Sequence, residues 1–382
     1  MRRPVLLVVG VLLACSAAVP LAAQDESAPV SRLRAIKAER LAEHAQATAS
    51  AIAAKTVVVD CAKGGSISAA MAKNTGPLVI ELRGTCKENV RIERSDLTLR
   101  GADPAIDGIQ GVTTDPLPDA ALGLWYANRI LLENMFVTNS PSAGVGAWYS
   151  AVEMRNCRIA NNGGSGVHIS LSSLTGTALA VSQNGGAGIN SQRVGRVICL
   201  GCRLEGNHPA ATSRTGGFMT LWDTVVSGNQ GIVAWDGGSY IDVDCLTAGS
   251  DYPCSVDVLG NAIQASSGGM AGLWGVGAFT GRISASGGFV DVYGGQQTLP
   301  AGSTNQISRS ALLTTGVAEA GGPPTTLGTT RLDRFARAIL DNETELSGTL
   351  TCSSGADAWS DRWYPEAQVI GCKNVPTTAP TP

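Results

Sequence analysis

The stretch Arg158-Ile-Ala-Asn-Asn162-Gly-Gly-Ser-Gly-Val167 returns 22 residues later as Ala180-Val-Ser-Gln-Asn184-Gly-Gly-Ala-Gly-Ile189. Working outward from Asn162 and Asn184, the same frame reaches Asn139, Asn207 and Asn229, at successive spacings of 23, 22, 23 and 22. Three residues before each asparagine stands an apolar one: Phe136, Ile159, Val181, Leu204 and Val226. Asn261, with Val256 and Val258 before it, fits the same frame. A fixed period of this length marks stacked units, each unable to bury its apolar face alone. Leucine-rich repeats share the length, but their Leu-x-x-Leu-x-Leu frame is absent, and a propeller blade needs about 40–45 residues. Strand-like alternation between Asn-Gly turns leaves a coil of short strands, one rung per repeat.

Composition agrees. The chain has 382 residues, 47 of them Gly, with 15% charged and 44% apolar. Average usage is about 7% Gly and about 25% charged. So little charge argues against a solvated helical bundle or a charged disordered chain. A formal net charge of -3 offers no basic excess for phosphates, which excludes nucleic acid as a partner class.

The ends are different material. Residues 1–23 read as a signal peptide: Arg2 and Arg3 precede a short apolar run, Pro4 to Ala14, too short to span a bilayer. Ala22-Ala23 before Gln24 suits signal peptidase, while Leu12-Leu13-Ala14-Cys15 resembles a bacterial lipobox that would leave Cys15 lipidated. The expected location is therefore secreted, periplasmic or outer-membrane-associated in a bacterium, with the membrane engaged only through such an anchor. Residues 24–55 are charged and alanine-rich, with Leu33, Ile36, Leu41 and Ile52 in a loose helical stripe. This segment is expected to be helical and offers a route to oligomers. Beyond Gly321-Gly-Pro-Pro, the positions of Leu332, Phe335, Ile339 and Leu340 predict an amphipathic helix over 331–341. It would form part of a C-terminal cap over 319–375, followed by a disordered tail at 376–382.

The asparagine ladder, the apolar frame and the opening Val59-Asp60-Cys61 … Gly84-Thr85-Cys86 resemble the right-handed parallel β-helix of the pectin-lyase-like superfamily. The resemblance covers roughly Thr56 to Ser310. It implies an all-β solenoid over 56–318, of about eleven rungs. Rungs about 4.8 Å apart let each ladder Asn bond its neighbours. That is a structural role, not a binding row. The same interval sorts the cysteines. Cys61 and Cys86 lie about one rung apart and suit a disulfide. Cys245 and Cys254 would close an insertion, and Cys352 and Cys372 would staple the tail. Cys157 and Cys202 hold one frame position two rungs apart, about 10 Å, too far to bridge. Both are expected as buried thiols unless Cys202 pairs with Cys199.

Known enzymes of that superfamily are polysaccharide lyases and hydrolases. The hydrolase motifs Asn-Thr-Asp, Asp-Asp, Gly-His-Gly and Arg-Ile-Lys are absent as a set. So are Gly-x-Ser-x-Gly, Walker A and HExxH patterns. The best acidic cluster is Asp223, Asp242 and Asp244, with Arg203 a rung below. In a polyuronate lyase these aspartates would hold Ca²⁺ and Arg203 would take the proton; an ordinary solvated strand face is the plainer alternative. Trp148, Tyr149 and Trp235 are the candidate carbohydrate platform, set among Trp125, Tyr126, Trp222 and Trp274. Some of these rings must be core. The leading expectation is an exported protein that binds polysaccharide or cell-surface glycan, or serves a structural role, without catalysis. No cofactor is firmly implied, and Ca²⁺ enters only with the lyase.

Overall fold

A computed structural model describes residues 54–114, 119–245, 254–316, 324–341 and 343–378. The leader, Cys15, nearly all of the 24–55 segment and the last four residues lie outside the described residues. Three strands per turn build three parallel sheets. Sheet A begins with Lys55–Asp60 and Leu78–Arg83 and ends with Asp357–Ser360. Sheet B runs through Thr85–Lys87, Gly108–Gln110, Phe136–Thr138 and Arg158–Ala160 to Glu345–Leu346. Sheet C runs from Val90–Ile92 through Ala120–Trp125 and Ala143–Trp148 to Val369–Ile370. Every described pairing is with the rung before or after, so the solenoid makes about 13 turns.

Alternate residues of each strand point inward. Val145, Val167 and Ile189 stack in one inner column, and Leu132 and Met154 in another, all fully buried. Each such Leu, Ile or Val contributes about 2 kcal/mol of apolar burial. The corners between sheets take left-handed backbone. Asn134, Asn156, Ala178, Gly201 and Asp223 stack at the A–B corner, all at positive φ. Asn139, Asn161, Gln183, Gly206 and Gly228 do so at the B–C corner. Asparagine tolerates this conformation better than most residues, which is why Asn recurs at the period.

The ladder itself starts one residue later than the spacing implied. Asn162, Asn184 and Asn207 are buried. The Asn184 Oδ1 accepts from the Asn162 backbone N–H at 3.1 Å and from Asn162 Nδ2 at 2.9 Å. Asn207 Oδ1 accepts from Asn184 in the same way. Below Asn162 the position belongs to Ser140, whose N–H donates to Asn162 Oδ1 at 2.9 Å. Asn139 is instead an exposed corner residue, aligned with Asn161, and Val137 rather than Phe136 pairs with Ile159 in the core. Ser140 to Asn162 is 22 residues; the step of 23 from Asn139 arises because Asn139 is the corner residue one position before the ladder.

The described cysteines pair as 61–86, 199–202, 245–254 and 352–372, leaving Cys157 as a buried thiol. The short helix Ile67–Lys73 sits within the first turn. Ser66 Oγ caps it at Ala69 N, and the Glu88 carboxylate accepts from the N–H groups of Ile67 and Ser68.

The C-terminal segment departs from expectation. Residues 331–341 form no helix. Thr330–Leu332 and Arg337–Leu340 are strands that continue sheets C and A. Leu332, Ala336, Ala338 and Leu340 are buried, whereas Phe335 and Ile339 are exposed. The true period is two, broken by a corner at Arg334 and Phe335. The solenoid therefore continues past residue 318 and beyond eleven rungs, and Cys352–Cys372 links its last turns. The backbone N–H of Tyr364 donates to Pro376 O, which ties down the start of the tail.

Asn184→Ala is expected to cost about 3 kcal/mol, because it strands buried groups on both neighbouring rungs. Asn139→Ala should stay within about 1 kcal/mol. Urea unfolding of the two variants checks the one-residue offset.

Candidate functional site

Outward positions on sheet C form two columns that follow the axis. One runs Arg91, Gly123, Gly146, His168, Asn190, Thr212 and Val233. The other runs Trp125, Trp148, Ser170, Gln192, Arg214 and Trp235. Trp125 and Trp148 stack with ring centroids 4.4 Å apart and planes 12° from parallel. Their rings lean across Gly123 and Gly146; a Cβ on Gly146 would clash with the Trp148 ring. Glycine mid-strand marks such a close approach. The Arg91 guanidinium covers Trp125 at 5.3 Å, and Arg214 covers Trp235 at 5.9 Å.

Between the tryptophans lies a polar stretch that the surrounding side chains shield from water. Ser170 is 1% and Asn190 5% exposed. Ser170 Oγ, Asn190 Oδ1 and Arg214 Nε are buried without a hydrogen-bond partner. Such groups are costly unless something pairs with them. His168 sits at their centre, its ring 5.7 Å from that of Trp148. Asn190 Nδ2 lies 3.2 Å from His168 Nδ1, and Gln192 Nε2 lies 2.9 Å from His168 Nε2. A neutral imidazole has one donor and one acceptor, so two amide NH₂ groups cannot both donate to it. One amide must present its oxygen to the ring, and whichever turns, one buried Asn190 amide atom is left without a partner. Burial, then the charges of Arg214 and Arg193, lower the His168 pKa against a smaller opposing effect of Asp119. The shift favours the neutral ring.

Of the sequence-derived platform, Trp148 and Trp235 bracket this strip. Tyr149 stands at the adjoining C–A corner, stacked on Tyr126 with centroids 4.9 Å apart. Both tyrosines hold positive φ, uncommon for bulky residues. The members missed from sequence are Ser170, Asn190, Gln192, Arg214 and His168. Their signal was the same 22-residue step, read along outward strand positions rather than along the turns.

The acidic cluster lies elsewhere and only partly assembles. Asp242 and Asp244 are on one outward face of sheet A, as the alternation implied, and both are buried. Asp223 is at the A–B corner, with its N–H bonded to Asp244 O. Arg203 is in sheet B, paired with Ala180 and Val225, and exposed. It does not share the face of Asp242. Among the described residues no three acidic, His or Cys side chains group as a metal site. The spacing that suggested convergence ignored the corner between Trp222 and Val225. Asp291 joins Asp242 on sheet A instead, two rungs above, with Thr314 Oγ1 donating to its Oδ1.

Residues 109–247 match the family model described as a right handed beta helix region. The strand pairing above, three parallel sheets coiled rung upon rung, is a parallel β-helix as that description has it. DFA-IIIase from Arthrobacter chlorophenolicus A6, without its lid, is similar at 9% identity, covering 79% of this chain and 89% of its own, with TM-score 0.40. The A-module of an Azotobacter vinelandii mannuronan C-5 epimerase is similar at 13% identity, covering 82% and 91%, with TM-score 0.33. Pectin methylesterase PemA from Erwinia chrysanthemi is similar at 8% identity, covering 82% and 92%, with TM-score 0.27. No curated protein matches the sequence.

An NMR titration of the His168 ring is expected to place its midpoint below the ordinary histidine value of 6.5. Arg214→Ala should move the midpoint up toward that value. A midpoint unmoved by that change would remove Arg214 from the polar centre of the strip.

Proposed function

We propose that the protein is an exported glycan-binding β-helix, and that the sheet C strip from Trp125 to Trp235 is its binding surface. One observation carries this reading: three buried polar atoms, Ser170 Oγ, Asn190 Oδ1 and Arg214 Nε, stand unpaired between exposed and half-exposed indoles. A sugar ring offers an apolar face for Trp148 and hydroxyls that both donate and accept. It satisfies Ser170, Asn190 and Arg214 together, as no purely apolar or purely anionic ligand would. From Trp148 to Trp235 is four rungs, about 19 Å at the strand spacing, which accommodates several sugar residues laid along the axis. The rigid strands hold these groups in place before the ligand arrives, which limits the entropy lost on binding.

Export rests on the leader at residues 1–23 and on four disulfides, which persist in oxidising compartments. Among the described residues no helix is long and apolar enough to cross a membrane. Attachment, where present, would come from lipid on Cys15, and self-association from the 24–55 segment. Intact mass of the exported chain is expected to begin at Gln24, or at a lipidated Cys15. A mass that retains the leader would overturn export.

A glycan array probed with the mature protein is expected to give binding to an extended glycan. Calorimetry on that glycan should show Trp148→Ala and Arg214→Ala each weakened at least tenfold, about 1.4 kcal/mol. An array without binding, or variants that bind like the parent, would sink the proposal.

A further inference from the structure

Along one border of the sheet C strip, the corner into sheet A carries a ridge of apolar side chains. Each rung of the strip ends at this corner. Tyr126 follows Trp125, Tyr149 follows Trp148, Leu171 follows Ser170, and Arg193 and Val194 follow Gln192. Tyr126, Tyr149, Leu171 and Val194 are 68%, 48%, 38% and 70% exposed. Backbone bonds tie the corners rung to rung: the N–H of Tyr126 donates to Trp148 O, that of Tyr149 to Ser170 O and that of Leu171 to Arg193 O. The ridge therefore spans three rung steps, about 14 Å at the strand spacing.

All four residues hold left-handed backbone, with φ of 53°, 54°, 52° and 58°. That conformation presses Cβ toward the following carbonyl oxygen, and a β-branched valine suffers most. The next rung shows the relaxed solution. Thr215-Gly216 turns with glycine at its second position, at φ 74°, and Ser267-Gly268 does the same at φ 86°. A Cβ on Gly216 would lie 3.7 Å from Val194 Cγ1, so the ridge stops where glycine begins. Glycine or asparagine would serve the turn better at every one of these positions. The bulky residues instead stand in water, on the rungs that carry Trp125, Trp148, Ser170 and Gln192. A contiguous exposed apolar surface of this kind marks a contact site.

We propose that the ridge recognises an acetyl group on the glycan, its methyl lying on Leu171 and Val194 and its carbonyl oxygen accepting from Arg193. The inference rests on the sheet C strip being the glycan surface, and it names the class of sugar that surface takes. Arg193 is exposed between the strip and Val194, and its charge reaches His168 on the strip. A substituent of a sugar lying over Ser170 and Gln192 meets this corner when it projects sideways from the ring. A bare hydroxyl there gains little from Leu171 and Val194. A carboxylate brings charge onto apolar side chains. An acetyl group has an apolar end, an acceptor oxygen and no charge, and so suits Leu171, Val194 and Arg193 together.

The test measures binding of the full mature chain to two matched pairs by calorimetry. Acetylated glucomannan is compared with the same polymer after mild alkali, which removes ester-linked acetyl. N-acetylchitohexaose is compared with cellohexaose, which carries a hydroxyl in place of the acetamido group. In at least one pair the acetylated member is expected to bind at least tenfold tighter; the first pair reports an ester and the second an amide. The double variant Leu171→Gly/Val194→Gly should bring that ratio within twofold. Val194→Gly alone should melt at or above the parent, since glycine accepts the left-handed turn. Binding without a tenfold preference in either pair overturns the ridge and leaves the strip standing, whereas no binding to any of the four overturns both. A double variant that keeps the parent's preference overturns the ridge. So does a parent dimer in sedimentation that the double variant dissolves, because a second copy then covers these residues. Should the double variant fail to fold, Val194→Gly is read by the same ratio.

Discussion

The stacking interval of parallel strands, about 4.8 Å, governs this molecule. Each side chain meets its counterpart one rung away, nearly face to face. Inward, that lets apolar columns close into one core without a loop crossing it. At the corners it lets an Asn on one rung satisfy the backbone of the next. Outward, it penalises charge repeated along a column. A low overall charge follows from the geometry, as does a glycine count swollen by turns.

The same interval makes the outer faces informative. A surface strand position has no packing duty, so its residue need only avoid conflict with its neighbours. Ser, Thr and Asn meet that requirement at little cost. Yet sheet C places His168, Asn190 and Arg214 between tryptophans, and sheet A places two aspartates across a glycine. Both arrangements leave polar atoms buried and unpaired. Buried polar groups in folded proteins are nearly always paired, so local stability does not explain these two places.

Much of the fold was legible because the asparagines and the apolar frame repeat at one period. The Cys61–Cys86 disulfide followed, since a 25-residue separation means one rung, whereas the 45 residues from Cys157 to Cys202 mean two. Cys157 is left unpaired for that reason. The C-terminal rungs were illegible because Leu332, Phe335, Ile339 and Leu340 mimic a helical stripe. The buried set is Leu332, Ala336, Ala338 and Leu340, and two small alanines give a weak apolar signal. Asn139 misled for a subtler reason: a corner Asn and a ladder Asn are adjacent in a rung, and where Ser140 holds the ladder position the corner Asn is the one that shows. Of the sites, the tryptophans were visible as large rings. The polar residues between them were not, because Ser, Asn and Gln on a strand face look like filler until their neighbours are known.

Charge separates the chemistry open to each face. Taking a proton next to a uronate carboxylate requires a cation to hold that carboxylate and a base above the ring. On sheet A the acids stand without a basic neighbour in their columns, and Arg203 belongs to sheet B. A carboxylate brought to that face would meet Asp242, Asp244 and Asp291, and repulsion between partly dehydrated charges is far stronger than in water. Sheet C is the opposite case: Arg91 and Arg214 lie over its indoles, and burial with the nearby arginines lowers the His168 pKa. The two faces therefore differ in charge, with acids gathered on sheet A and guanidinium groups on sheet C.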